Sequence, residues 1–206
     1  MNILQINSSP MGENSVSKGL TTRFVEKLTE RLYTAELTSR DLADTNVPLL
    51  TAATVGAFYT PVEALADDQK ALISLSDELV AELEAAEVIV IGAPMHNFSV
   101  SGQLKTYIDQ VARVGRTFQY TENGPQGLLK DKKVFVMVTT GGNYTSGPLA
   151  SLDHLTPYLA TMLGFIGITD VTFIQCPSMA ANEEAKASSI AAANAQISQI
   201  IEQLTV

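Results

Sequence analysis

Val88-Ile89-Val90-Ile91-Gly92-Ala93-Pro94-Met95-His96-Asn97-Phe98 reads as a buried strand that breaks into a loop. Four consecutive β-branched residues without polar alternation are what a central parallel strand covered on both faces requires. Gly92 and Pro94 end it, because glycine leaves strand geometry easily and proline has no N–H for a ladder. A helix is expected from about Val100. In an open α/β sheet, ligands bind in the crevice beyond the carboxyl ends of the strands, so the loop 93–98 is expected to line a site.

Working outward, Leu72, Leu75, Leu79, Val80 and Leu83 recur at helical spacing within 68–86, and Leu104, Ile108 and Val111 share a face within 101–114. Lys105 and Asp109 at i and i+4 read as a solvated surface pair. Lys133 to Val138 is a second continuous apolar strand, ended by Thr139-Thr140-Gly141-Gly142-Asn143-Tyr144. At the start, Asn2 to Asn7 is a short strand, residues 8–14 a polar loop, and Ser15 an N-cap for a helix to about Tyr33 with Leu20, Phe24, Leu28 and Leu32 on one stripe. Residues 35–42 suit a shorter strand nearer an edge, with Leu37 inward. Residues 44–67, containing Pro48, Gly56 and Pro61, are expected to be a long loop with at most a short helical piece, of the kind that tends to carry function. The aromatic segment 115–125 ends in turn residues. A helix over 151–164, opened near His154, a strand over 168–175 and a helix over 182–204 complete the alternation. Five strands alternating with five helices predict one doubly wound parallel α/β sheet spanning 1–206, with right-handed crossovers.

A chain of 206 residues that is 46% hydrophobic and 17% charged is sufficient for one full core. No window approaches the 18 apolar residues of a membrane span, and the first residues lack the basic start of a signal peptide, so a soluble cytoplasmic protein is expected. Thirteen basic against 22 acidic residues, a net charge of −9, oppose binding to nucleic acid or an anionic membrane. Cys176 is the sole cysteine, which excludes an intrachain disulfide; its setting before Pro177 suits a buried, unreactive thiol at a strand end. His96 and His154 are too few and too far apart to suggest a metal site, and none is expected.

Neither the G-x-G-x-x-G of a dinucleotide fold nor the Gly-Lys-Ser/Thr of a phosphate-binding P-loop is present after the first strand. Instead the loop is Ser8-Ser9-Pro10-Met11-Gly12-Glu13-Asn14-Ser15-Val16-Ser17, with no basic residue. Hydroxyls and amides at a helix N-terminus suit a phosphate monoester. Alone this loop also reads as a plain serine-rich turn and cap. Together with 93–98 and Thr139 to Gly142, it fits a mononucleotide with its phosphate on the first helix and a flat ring across backbone amides, as flavodoxin-like sheets of order 2-1-3-4-5 hold FMN.

At this point the chain resembles the FMN-dependent NADH-azoreductases, also described as FMN-dependent NADH:quinone oxidoreductases. The resemblance rests on Asn7-Ser8-Ser9-Pro10 with Ser15-Val16-Ser17, on Ala93 to Phe98, on Thr117-Phe118-Gln119-Tyr120-Thr121-Glu122-Asn123-Gly124-Pro125-Gln126-Gly127-Leu128, on Gly141-Gly142, and on Leu163-Gly164-Phe165-Ile166-Gly167. It covers nearly the whole chain. It implies a homodimer with sites at the subunit interface and non-covalent FMN. Ser9, Ser15, Val16 and Ser17 would hold the phosphate. Pro94, Met95, His96, Asn97 and Phe98 would bind the cofactor, the last four at the isoalloxazine ring, and Thr139, Thr140, Gly141 and Gly142 would meet its pyrimidine edge. Phe118 and Tyr120 would face substrate from the dimer partner, with Tyr144 a third substrate-binding candidate. The chain departs from the family at His96, where a tyrosine is common, and at Thr140, where arginine or serine is frequent.

The chemistry implied is ping-pong: NADH delivers hydride to flavin N5 and leaves, then a quinone or an aromatic azo compound takes two electrons from the same face. The flavin performs the hard step and no side chain is needed as an acid or base. Residues 44–67 offer no arginine or lysine for a 2′-phosphate, which favours NADH over NADPH. Two other classes fit the same alternation of elements: a flavodoxin-like electron carrier serving a protein partner, and a flavin-free dehydrogenase or sensor in which Asp41 binds a ribose.

Overall fold

A computed structural model describes residues 1–32 and 34–204. Its centre is a five-stranded sheet of β1 (Asn2–Asn7), β2 (Glu36–Asp41), β3 (Val88–Pro94), β6 (Lys133–Thr139) and β7 (Asp170–Cys176), in the order β2-β1-β3-β6-β7 with every pairing parallel. This is the α/β flavodoxin-like strand order expected. β3 lies between β1 and β6 and is buried from Val88 to Ala93. The pleat divides its side chains: Val88 and Val90 join one core, Ile89 and Ile91 the other. Each of these side chains contributes about 1.5–3 kcal/mol by leaving water, which is why a run with no polar alternation is stable only here.

The first face is covered by α1 (Val16–Arg31) and α6 (Glu183–Gln203), the second by α3 (Asp67–Ala85), α4 (Gly102–Val111) and α5 (Thr156–Phe165). Phe24 of α1 meets Phe135 of β6 at 4.6 Å between ring centroids. A buried polar chain pins α1 in place: Gln5 donates to the Thr21 hydroxyl at 3.0 Å and Thr21 donates to Asn7 at 2.7 Å.

Several expectations need correction. Leu37 is 48% exposed rather than inward. It is in register with Ile3, but β2 is the edge strand and the helices that cover the sheet's centre do not reach it. The helix expected over 151–164 starts at Thr156, after a 3-10 turn over Gly147–Leu152. Asp153 ends that turn, its carboxylate accepting from the N–H groups of Leu155 and Thr156 at 2.9 Å each, so His154 lies before the helix and does not open it. α1 is described to Arg31, with Leu32 as its C-cap; Tyr33 lies outside the described residues. Residues 44–67 contain α2 (Ala52–Phe58) and a 3-10 turn at Val62–Ala64. The aromatic segment is a hairpin, β4 (Phe118–Thr121) on β5 (Gly124–Gly127), closed by Gly124 at φ +100°. The Lys105–Asp109 pair is present on α4, partly exposed, at 2.6 Å.

Candidate functional site

Three loops follow the carboxyl ends of the adjacent strands β1, β3 and β6, and short hydrogen bonds tie them together. Gly92 O accepts from the Ser8 N–H at 3.3 Å and from the Ser8 hydroxyl at 2.7 Å. Ser8 O in turn accepts from the Ser101 hydroxyl at 2.9 Å, while Ser101 caps α4 by accepting from Leu104 N–H. Met95 N–H donates to Thr139 O at 2.8 Å. The fit is close enough that a Cβ on Gly92 would stand 3.2 Å from Asn7 Oδ1 and 3.4 Å from Ser17 O.

The first loop presents buried hydroxyls at the start of α1. Ser15 caps the helix, accepting from Lys18 N–H at 3.1 Å, and its Oγ lies 3.1 Å from Ser17 Oγ. Ser9 accepts from Met11 N–H at 3.3 Å. The N–H groups of Val16 and Ser17 donate to no described residue, so the positive end of the helix dipole carries two free donors. Lys18, one turn into the helix, supplies a cation that reading the loop alone missed; its ammonium pairs with Glu13 at 2.7 Å and Asp41 at 3.1 Å, which holds its pKa above the ordinary lysine value. Asp41 is thereby engaged, and its other oxygen accepts from Ala43 N–H.

In the second loop, His96 and Ser99 close a tight turn through two backbone hydrogen bonds of 2.9 and 3.0 Å. At its tip Asn97 and Phe98 sit at φ +48° and +70°, and both side chains are exposed. For Phe98 this left-handed backbone is strained, and such strain clusters at functional sites. The His96 imidazole is also exposed, so within the chain His96 acts through its backbone. Pro94 and Met95 are half-buried beneath. Phe98 O accepts from His154 N–H at 2.9 Å, and the Phe98 ring meets Tyr144 edge-on at 6.1 Å.

The third loop is braced from behind. Thr139 and Thr140 are buried, and the Thr140 hydroxyl turns back to donate to Gly142 O at 2.7 Å. The N–H groups of Met179 and Ala180 donate to Thr140 O and Gly141 O, and Ser178 N–H to Gly142 O. The Gly141 and Gly142 amides donate to no described residue. Half-buried Tyr144 lies against Gly142, whose Cβ would be 3.3 Å from its ring.

Thus Ser9, Ser15, Val16, Ser17, Pro94 to Phe98, Thr139 to Gly142 and Tyr144 belong to one loop cluster. Phe118 and Tyr120 do not: they sit on the hairpin, which packs on α5. Phe118 is buried against Phe165 at 4.5 Å, whereas Tyr120, edge-on to Phe118, is 66% exposed. Ser8, Ser101 and the 178–180 brace were not among the sequence candidates; only Ser101, a cap before an apolar helix face, carried a local signal. Cys176 is fully buried at the end of β7 and burial pushes its thiol pKa up. Among the described residues no group of three or more His, Cys, Asp or Glu could hold a metal, and no helix is long and apolar enough to cross a membrane.

The family described as having a flavodoxin-like fold matches residues 1–201. An FMN-dependent NADH:quinone oxidoreductase of Bordetella avium is 44% identical over 205 residues, covering 99% of this chain and all of that protein. One from Shigella flexneri is 46% identical over 199 residues, 97% of this chain and 98% of its own length. By structure, an FMN-dependent NADH-azoreductase from Bacillus anthracis, solved in complex with FMN, superposes with a TM-score of 0.85 at 25% identity, over 98% of this chain and all of that one.

Proposed function

The chain belongs to the FMN-dependent NADH:quinone oxidoreductases of flavodoxin-like fold, and from that premise we propose that it binds FMN at the loop cluster and catalyses NADH-dependent two-electron reduction of quinones and reductive cleavage of aromatic azo compounds. One observation carries the reading. Three loops present unpaired backbone amides and buried hydroxyls beside the N-terminus of α1 and are tied together through Ser8, Gly92 and Ser101.

The donors fit the cofactor. A phosphate monoester needs several hydrogen-bond donors and positive potential, which Ser9, Ser15, Ser17 and the free Val16 and Ser17 amides at the helix end supply. A flat ring with carbonyl oxygens needs apolar faces and fixed donors. Met95, Phe98 and Tyr144 offer the former, the amides of Asn97, Phe98, Gly141 and Gly142 the latter. When bound, FMN supplies two-electron exchange between a nicotinamide and an oxidant. The residues hold it still, keep water from one face, and set amide dipoles where negative charge accumulates, at no reorganisation cost during reaction. His96 and Thr140 serve through backbone position, the imidazole being exposed and the Thr140 hydroxyl spent on Gly142.

Donor and acceptor use the same pocket in turn, in ping-pong order, with NADH preferred to NADPH because residues 44–67 contain no arginine or lysine. Exposed Tyr120 stands on a hairpin outside the loop cluster. A homodimer would carry each Tyr120, backed by Phe118, to the other chain's site and complete the acceptor pocket.

The test is an absorption spectrum of the purified protein after FMN addition and gel filtration, then anaerobic NADH, then menadione. Retained flavin that bleaches with NADH and recovers with menadione is expected. Retained flavin that NADH leaves yellow would indicate an electron carrier, and no retained flavin would remove the proposal.

A further inference from the structure

The alternation of β6 breaks at Gly141, and the break is held from outside the three loops. In a parallel strand the N–H and C=O of one residue face the same neighbour, and those of the next residue face the other. β6 follows this rule as far as Thr140. Thr139 O accepts from Met95 N–H on the β3 side, while Thr140 N–H donates to Cys176 O and Thr140 O accepts from Met179 N–H on the β7 side, at 3.3 and 2.9 Å. Gly141 O should then return to the β3 side. Instead it accepts from Ala180 N–H at 3.0 Å, and Gly142 O accepts from Ser178 N–H at 3.3 Å.

A peptide group is planar and trans, so its N–H points opposite to its C=O. Three successive carbonyls, of Thr140, Gly141 and Gly142, are taken on the β7 side. The N–H groups of Gly141, Gly142 and Asn143 therefore point back across β6 toward the loop 93–98, and none donates to a described residue. In a regular strand the middle one would face β7. Consecutive free amides facing one way form a donor array of the kind that receives an anionic or strongly accepting oxygen.

The segment that imposes this is the turn 178–181. It too presents three consecutive N–H groups to one side, which a regular strand cannot do, and the departure lies at Ser178, whose φ is +68°. Ala181 N–H closes the turn on Ser178 O at 3.1 Å. Met179 packs on the core shared by α1 and α6, and Asn182, just after the turn, caps α6 by accepting from Ala185 N–H at 2.8 Å. The turn is thus anchored to the core and to a helix end.

We propose that the turn 178–181 is a positioning element for the flavin: by holding the Gly141–Gly142 peptide turned, it aims three amides at the carbonyl edge of the ring and raises its reduction potential. This rests on the flavin reading above. Two electrons and one proton added to the neutral oxidised ring leave one negative charge on it, and protein groups near that charge tune the couple. Fixed donors favour the charged reduced form over the neutral oxidised one, so the ratio of the two affinities sets the shift in potential. Ser178 and Ala180 act through Gly142 and are positioning residues.

The midpoint potential of the FMN-loaded protein, measured against a reference dye above neutral pH, tests this in two variants. Valine rejects a φ of +68°, so Ser178→Val should release the turn and lower the potential by about 30 mV or more, equal to at least a tenfold loss of preference for reduced over oxidised FMN. Glycine accepts that φ, so Ser178→Gly should keep the wild-type potential. A merely structural role would lower the Tm of Ser178→Val and leave its potential alone. An unchanged potential in Ser178→Val, or an equal fall in Ser178→Gly, would overturn the proposal. Should Ser178→Val not fold, amide hydrogen exchange of the wild-type protein decides: the Met179 and Ala180 N–H groups are expected to be as protected before FMN is added as after, and exchange at the rate of a free peptide before FMN would overturn the proposal too. Failure of the wild type to retain FMN would remove the flavin reading itself, whereas retained FMN with an unmoved potential in Ser178→Val removes only this proposal.

Discussion

Ser15 both caps α1 and shares its hydroxyl with Ser17, so one residue joins helix stability to the proposed phosphate cradle. Replacing Ser15 and Ser17 together with alanine should raise the Kd for FMN at least tenfold, read by quenching of flavin fluorescence, and cost about 1 kcal/mol of stability through the lost cap. Ser17→Ala alone leaves the cap intact and should retain most of the affinity loss; unchanged affinity in both variants would remove the phosphate assignment. Ser15 was legible in the sequence because capping is local. Ser8 was not, since its hydroxyl reaches Gly92 O 84 positions away, and Ser101 was legible only as a cap, its bond to Ser8 O lying 93 positions off. His96 was legible as a position and not as a role, because whether a loop side chain turns in or out depends on backbone angles set at Asn97 and Phe98.

The β4–β5 hairpin is the element least visible beforehand. Its alternating Phe118-Gln119-Tyr120 and turn residues Asn123-Gly124 are strand and turn signals, but four-residue strands are too short to stand out from a loop. What holds the hairpin is close backbone contact: a Cβ on Gly127 would lie 2.1 Å from Gly167 N, and Leu129 N–H donates to Ile166 O at 2.9 Å. Gly167 itself sits at φ +105°, which only glycine adopts readily. Gly127→Ala should therefore lift the hairpin off α5, lowering stability by about 2 kcal/mol, a Tm drop of roughly 4–8 °C by thermal melt. Since Tyr120 moves with it, kcat/KM for menadione should fall further than FMN affinity does. A wild-type melt with unaltered kinetics would show that the contact is not what fixes Tyr120.

For the whole molecule, the strand order was legible because each buried strand and amphipathic helix carries its own period, and right-handed crossovers leave few ways to assemble them. The exceptions lie at the margins: edge strand β2, whose Leu37 no helix covers, and the start of α5, which a 3-10 turn ending at Asp153 delays to Thr156. The assembly proposed above carries its own prediction. Sedimentation velocity should give a single species of twice the 22.0 kDa chain mass under assay conditions. A species of one chain that still reduces menadione at full rate would mean that one chain forms the whole acceptor pocket.

The turn between His96 and Ser99 is closed by its own two ends, while the strand beneath it is fixed by separate hydrogen bonds at Met95 and Gly92. Its tip is thus a cassette held by backbone: the hydrogen bonds that close it, including the one from His154 N–H to Phe98 O, use no side chain of residues 97 and 98. Glycine would relax the backbone at 98, yet a phenylalanine occupies it. In a lineage descending from one such ancestor, side chains at these two positions would drift within the limit set by the flat ring laid against them, while the backbone amides of the turn stayed in place.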